Sequence, residues 1–167
     1  MADIISRSGS EEQQVIELIE LLFFAYRDFI SDPDTILADL GFGRAHHRII
    51  HFVGRNPGLT VAQLLDILRI TKQSLGRVLR ELIVKGYVYQ REGEQDRRQR
   101  LLFLTKDGEK LRRRLMAPQI VRIRRALDES ESGTPSDYRN VLYYLISPEN
   151  RTTVRDWLGA HGGADAG

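Results

Sequence analysis

Along the chain the spacing of apolar positions changes several times, and each change marks an element. Over residues 10–30 the apolar side chains Val15, Ile16, Leu18, Ile19, Leu21, Leu22, Phe23, Phe24 and Tyr26 recur densely enough to wrap most of a helix. Ser10, with Gln13 three residues on, is an N-terminal capping pattern. A helix that is apolar nearly all round must be buried on several sides. A subunit interface offers that more readily than the core of a small domain, with a central core helix as the alternative. Asp32-Pro33 predicts an N-cap followed by proline at N1. A further helical segment extends to Arg55, with a break at Gly41 and Gly43.

Asn56-Pro57-Gly58 is a turn signal. Thr60 and Gln63 form a capping box that opens a short helix with Val61, Leu64, Leu65 and Leu68 on its inner face. Thr71 caps the next helix, which ends at Gly86 in the C′ position. The period then shortens from that of a helix to that of a strand. Residues 87–91 and 100–104 predict a β-hairpin, and its connection, 92–99, carries Gly93 and Asp96-Arg97-Arg98. Thr105 caps a long helix running to about residue 130, with Leu111, Leu115, Ile120, Ile123 and Leu127 inward. Pro118 lies inside it and predicts a kink or a division. Thr134-Pro135 and Ser147-Pro148 each start a short helix, and the glycine-rich residues 161–167 read as a frayed tail. No internal repeat is visible. The fold class is therefore mainly α with a small β-hairpin wing: helix, short connection, helix and basic hairpin are the order of a winged helix-turn-helix.

The second helix of that unit has two faces. Leu75, Val78, Leu79 and Leu82 form the packing stripe, while Gln73, Gly76, Arg77 and Arg80 lie opposite. A major groove admits one helix, and its base edges are read by side chains such as arginine and glutamine. The N-terminal residues of such a helix reach the bases, so Lys72, Gln73, Ser74 and Arg77 are the base-reading candidates and Arg80, a turn later, a phosphate contact. A guanidinium on the narrow hairpin, from Arg97 or Arg98, could enter the minor groove, with Asp96 holding it by a forked pair. The plainer alternatives are an exposed amphipathic helix and a solvated charged turn.

Charge sharpens this picture. The 167 residues carry 25 Lys+Arg and 23 Asp+Glu, a formal net charge of +2. Residues 69–125 alone hold 17 Lys/Arg and 6 Asp/Glu, a net of +11, and the remainder is at −9. This suggests a basic face for a polyanion on an otherwise acidic scaffold, or a solvated charged helix. Arg112 to Arg114 and Arg122 to Arg125 lie beyond the hairpin, where they face solvent or acidic partners. The charge available to DNA is therefore concentrated between Lys72 and Arg100.

Leu59-Thr60 with Leu64 and Leu68, Ile70-Thr71-Lys72, Arg77, Leu82, Lys85-Gly86-Tyr87, Asp96-Arg97-Arg98 and Leu104-Thr105-Lys106-Asp107-Gly108 together resemble the MarR family of bacterial transcription regulators. The close match spans about residues 58–110, and the helix order most of the chain. The resemblance implies a homodimer on a pseudo-palindromic operator, with one MarR-like domain over 1–167. It divides that domain into dimerisation helices at 10–55 and 106–160 around a DNA-binding lobe at 58–105. It also implies Arg98 in the minor groove oriented by Asp96, and release of DNA by a small-molecule ligand bound between lobe and dimerisation helices. Gly76 departs from the family, which commonly has threonine there. Glycine inside a helix costs about 1 kcal/mol against alanine, and close approach of the DNA backbone would offset it.

His46, His47 and His51 are the one unusual cluster, and are candidates for lining the ligand cleft. His47 and His51 share a helical face at a spacing that suits a metal, yet Asp39 or a partner-subunit residue would have to complete the set, so no metal or cofactor is expected. A satisfied or pH-sensitive histidine pair is the alternative. With no cysteine there is no disulfide, thiolate metal site or thiol redox sensing. Nucleophile, phosphate-loop and paired acid–base motifs are missing too, so an enzyme is not expected. The N-terminus resembles no signal peptide, and residues 15–30 carry Glu17, Glu20, Arg27 and Asp28, which argues against a membrane span and for a cytoplasmic protein. The expected function is a DNA-binding transcriptional regulator. The alternative is a winged-helix module for protein or RNA without operator specificity.

Overall fold

The computed structural model describes residues 10–130 and 133–159. Helix α1 spans Glu11–Ser31, capped where the Ser10 hydroxyl accepts from the Gln13 N–H. Helices α2 (Asp34–Asp39) and α3 (Arg44–Arg55) follow, separated at Gly41 and Gly43. Asp32 does not cap α2 as its sequence position suggests. It closes α1 in a helical conformation, and Pro33 takes the N-cap place. The reason is a stronger partner: both Asp32 carboxylate oxygens pair with the Arg122 guanidinium at 2.6 Å, a forked ion pair joining α1 to α6.

Strand β1 (Leu59–Thr60) leads into α4 (Val61–Leu68), where Thr60 and Gln63 cap each other. Arg69 then takes the left-handed conformation at φ 51°, ending α4 and aiming α5 (Lys72–Val84). Strands β2 (Val88–Glu92) and β3 (Arg100–Leu104) form the hairpin, and β1 adds to β3 as a third antiparallel strand, with Leu59 opposite Leu102. The long helix α6 (Lys106–Glu129) is neither divided nor ended by Pro118. Two last helices, α7 (Pro135–Leu145) and α8 (Arg151–Gly159), flank a 3-10 turn at Pro148–Asn150, where Ser147 makes no side-chain cap.

The core gathers around α3. Ile49, Ile50 and Val53 meet Leu64 and Leu68 of α4, the stripe Leu75, Val78, Leu79 and Leu82 of α5, Val88 and Leu102 of the sheet, and Leu111 and Leu115 of α6. Ile120 of α6, expected inward, is exposed, and Ile123 and Leu127 are half-buried. No residue of α1, α7 or α8 is buried. The apolar side chains of α1 stand in the open, Leu18 at 64% and Phe23 at 68% exposure. No helix among the described residues is long and apolar enough to cross a membrane.

Thr105 joins three elements. Its hydroxyl accepts from the Gly108 N–H at 3.0 Å, capping α6, and donates to the Gly86 carbonyl at 2.7 Å. The Thr105 N–H donates to the Tyr87 carbonyl, 3.0 Å away. Gly86 makes the turn between α5 and β2 at φ +79°, a region open to glycine. At Gly108 a Cβ would collide with the Tyr87 carbonyl oxygen, so the Leu-Thr-x-x-Gly sequence is a packing requirement. Gly108→Ala is expected to destabilise the fold by about 1–3 kcal/mol, since backbone must shift to admit the methyl. Urea unfolding monitored by circular dichroism checks this; an unchanged midpoint would contradict it.

Candidate nucleic-acid interface

The Thr71 hydroxyl accepts from the Ser74 N–H at 3.1 Å, which sets Lys72, Gln73 and Ser74 in the first turn of α5. Because the leucine stripe is buried, Lys72, Gln73, Gly76, Arg77 and Arg80 must face outward, and with Thr71 and Ser74 they line a shallow depression. Ser74 itself is half-buried. Nothing lies within 4 Å of where a Gly76 Cβ would stand, so this helical glycine answers no internal contact.

Arg77 is not isolated. Its Nη1 donates to Glu81 Oε1 at 3.3 Å, and Glu81 Oε2 lies 2.8 Å from Nε2 of His46 on α3. His46 Nδ1 accepts from the Gly43 N–H at 3.1 Å. The His46 hydrogen bond holds the Glu81 carboxyl below its ordinary range, with a further contribution from the Arg77 charge. The sequence alone does not mark Glu81 as part of this face. Its spacing of four from Arg77 was a visible signal, whereas its contact with His46 was not.

At the hairpin tip, Asp96 Oδ1 accepts from the backbone N–H of Arg98 at 2.9 Å. The forked pair with the Arg98 guanidinium, expected from sequence, is not formed. Two residues on, the backbone N–H is the donor a short carboxylate reaches, giving an Asx turn. Two successive backbone bonds, Gly93 N–H to the Gln99 carbonyl and Gln99 N–H to the Asp96 carbonyl, close the loop at 3.1 and 3.0 Å. Among the described residues, neither the Arg97 nor the Arg98 guanidinium has an ion-pair partner, and both are exposed. At the hairpin base, Tyr89 and Phe103 stack with centroids 5.4 Å apart, and the Arg91 guanidinium lies 5.3 Å from each ring.

The basic residues of α6 are differently placed. Arg112 forks onto Glu109 at 2.7 and 2.8 Å and Arg113 reaches the same carboxylate at 3.1 Å. Arg122 pairs with Asp32, and Arg125 lies 4.0 Å from Glu129. Some arginines of the basic block are thus paired inside the chain, whereas Lys72 and Arg80 of α5, Arg97 and Arg98 at the hairpin tip, and Arg114 and Arg124 of α6 make no ion pair among the described residues.

The three histidines have separate environments. Both ring nitrogens of His46 are hydrogen-bonded, and its ring stacks on Phe42 at 4.4 Å. His47 Nε2 and His51 Nδ1 are buried without a hydrogen-bond partner. Burial lowers the pKa of both. For His51 it falls to about 4, with the His47, Arg112 and Arg55 charges adding to the effect. Among the described residues no three His, Cys, Asp or Glu side chains converge as a metal site.

A family model described as the MarR family matches residues 40–99. The HTH-type transcriptional regulator PetP of Rhodobacter capsulatus is 47% identical over 140 residues, covering 84% of each chain. A putative MarR family regulator from Listeria monocytogenes, solved in complex with a 26-mer DNA, superposes with a TM-score of 0.64 at 19% identity, covering 87% of this chain and 94% of that one. A Mycobacterium tuberculosis MarR family protein in complex with p-aminosalicylic acid gives a TM-score of 0.56 at 23% identity, covering 78% of this chain and 98% of that one. The R. capsulatus and L. monocytogenes proteins carry names of transcription regulators.

Two outcomes follow from this geometry. Gly76→Ala should stabilise the free protein by about 1 kcal/mol, the helix-propensity difference with nothing in the way; thermal melting measures it, and a lower midpoint would contradict it. His51 is neutral when folded down to pH about 4 but titrates near 6.5 when unfolded. Its contribution is complete above pH 6.5 and is lost as the pH falls from there towards 4. Stability should drop by up to about 2 kcal/mol between pH 6.5 and 5 from this residue alone. Unfolding titrations at the two pH values, with His51→Gln flattening the slope, test it.

Proposed function

The chain belongs to the MarR family of helix-turn-helix transcriptional regulators, and on that premise we propose that it binds a specific double-stranded operator as a homodimer. The observation that carries this is the placement of exposed donors. Lys72, Gln73, Arg77 and Arg80 stand on the open face of α5, while Arg97 and Arg98 stand unpaired at the hairpin tip. A helix and a hairpin on one lobe match a major groove and the adjoining minor groove. In this proposal Lys72, Gln73, Ser74 and Arg77 address base edges, Arg80 a phosphate, and Arg98 the minor groove with Arg97 beside it. Asp96 shapes the tip through the backbone of Arg98.

The second copy covers the apolar side chains that α1, α7 and α8 leave in the open. Leu18, Phe23, Val141 and Leu145 are each at 60% exposure or more, and large apolar side chains left this open on several helices favour a protein partner. Two chains related by a two-fold axis present two α5 helices to a pseudo-palindromic site. For an effector, the support is the pair His47 and His51, whose buried nitrogens lack partners; a small anionic or phenolic molecule would supply them, as the p-aminosalicylic acid complex of the M. tuberculosis relative suggests. Such a regulator works in the cytoplasm, where the chromosome is.

The test is selection of bound duplexes from a random library, followed by binding at several salt concentrations. A recovered consensus with two-fold symmetry is expected, and log affinity should fall with log salt at a slope near −0.9 per phosphate contacted. Arg98→Ala should weaken binding by roughly tenfold while sedimentation still finds a dimer. Recovery of no preferred duplex, or tighter binding to RNA than to DNA, would overturn the proposal.

A further inference from the structure

The contacts of Glu81 join the outward face of α5 to the interior of the scaffold. On one side Glu81 Oε1 accepts from Arg77 Nη1, 3.3 Å away, and on the other Oε2 lies 2.8 Å from His46 Nε2. The two oxygens serve different partners, so the carboxylate bridges them without choosing between them. His46 is not free to turn. Its side chain is 8% exposed, its ring is stacked on Phe42, and Phe42 in turn meets the Tyr87 ring edge-on at 5.7 Å. With Nδ1 accepting the Gly43 N–H, a neutral ring carries its proton on Nε2 and must donate to Glu81. A surface glutamate ordinarily samples many rotamers; this one is tethered to a buried ring on another helix.

This chain of contacts adds little to folding through the Arg77 pair. Arg77 is 67% exposed and Glu81 40%, and exposed pairs of this kind contribute little, least of all with arginine on the N-terminal side. It has a geometric consequence instead. A free arginine at a groove has many rotamers to lose on binding, whereas one held at Nη1 by an anchored carboxylate keeps Nε and Nη2 in a set direction.

We propose that Glu81, anchored by His46, is a positioning residue that fixes the Arg77 guanidinium for base recognition and so sets sequence selectivity. This inference rests on the proposed function, in which α5 enters the major groove. It places a negative charge beside the DNA. That charge opposes binding to any duplex and is offset only where Arg77 meets its proper base. Glu81 thus lowers affinity for unrelated DNA and raises the ratio of specific to non-specific binding.

Glu81→Gln separates this from a purely structural role. The glutamine Oε1 can still accept from His46 Nε2, so the tether survives, but its amide nitrogen cannot accept from Arg77. Wild type, Glu81→Gln, Arg77→Ala and the double variant are compared on the duplex recovered by selection with the wild type and on a scrambled duplex of equal composition. Affinity of Glu81→Gln for the selected duplex should fall about tenfold, within the range one bidentate base contact can supply. Affinity for the scrambled duplex should rise instead, because the protomer has lost a negative charge beside the DNA. In the Arg77→Ala background the substitution should no longer cost selectivity. Equal gains on both duplexes would make Glu81 a repulsive charge only, and an equal loss in the Arg77→Ala background would show that it acts through something else. Either result overturns the inference while leaving operator binding intact. Failure of the wild type to prefer any duplex would instead overturn operator binding and this inference together.

Discussion

The burial of one stripe of α5 against α3 is the constraint on which the rest of the site depends. Leu75, Val78, Leu79 and Leu82 are at most 4% exposed and meet Ile49, Ile50 and Val53. With side chains recurring every 3.6 residues, that packing leaves the opposite face no choice of direction. Lys72, Gln73, Arg77 and Arg80 point outward because the leucines point in. The strain of Arg69 at φ 51° lies at the connection that gives α5 its angle. It is held by the Arg69 hydrogen bond to Asn150, at 2.6 Å, and by the Arg48 bond to the Leu68 carbonyl. The second end of the lobe is set by Thr105, whose hydroxyl and amide connect α6 to the turn between α5 and β2.

Charge acquires meaning only after this packing is set. A net of +11 over residues 69–125 suggests a broad basic surface, yet Arg112, Arg113, Arg122 and Arg125 of α6 are paired with Glu109, Asp32 and Glu129. Arg114 and Arg124 of α6 remain without an ion pair among the described residues, as do Arg80 of α5 and Arg97 and Arg98 at the hairpin tip. The Glu81 carboxylate sits within the basic face of α5, tied to a buried histidine. On that face a polyanion therefore meets one cation held by an ion pair, Arg77, among exposed cations that make none.

Much of the local structure could be read from residue types because local rules decide it. The caps at Ser10, Thr60, Thr71, Thr105 and Thr134 each rely on a hydroxyl and an N–H three residues on. Where a distant partner competed, local rules lost. Asp32 left its capping role for Arg122, ninety positions away. Asp96, with no such competitor, took the nearest backbone donor in place of the guanidinium expected for it. Strand β1 is two residues long and exists only because β3 lies alongside, so no periodicity could announce it. Pro118 removes one hydrogen bond from a helix secured elsewhere by Leu111, Leu115 and the Arg122 pair, and the helix continues.

By itself the sequence determined the order of the main helices and the hairpin, the apolar and donor faces of α5, the basic hairpin tip and the dense apolar surface of α1. All of these follow from spacing along a chain of fixed geometry. Only the tertiary structure decided which charges cancel, that His46 belongs to α5 through Glu81, and that His47 and His51 keep nitrogens without partners. Pairing and burial depend on what arrives from elsewhere in the chain, and a distance of 2.8 Å across 35 positions has no local signature.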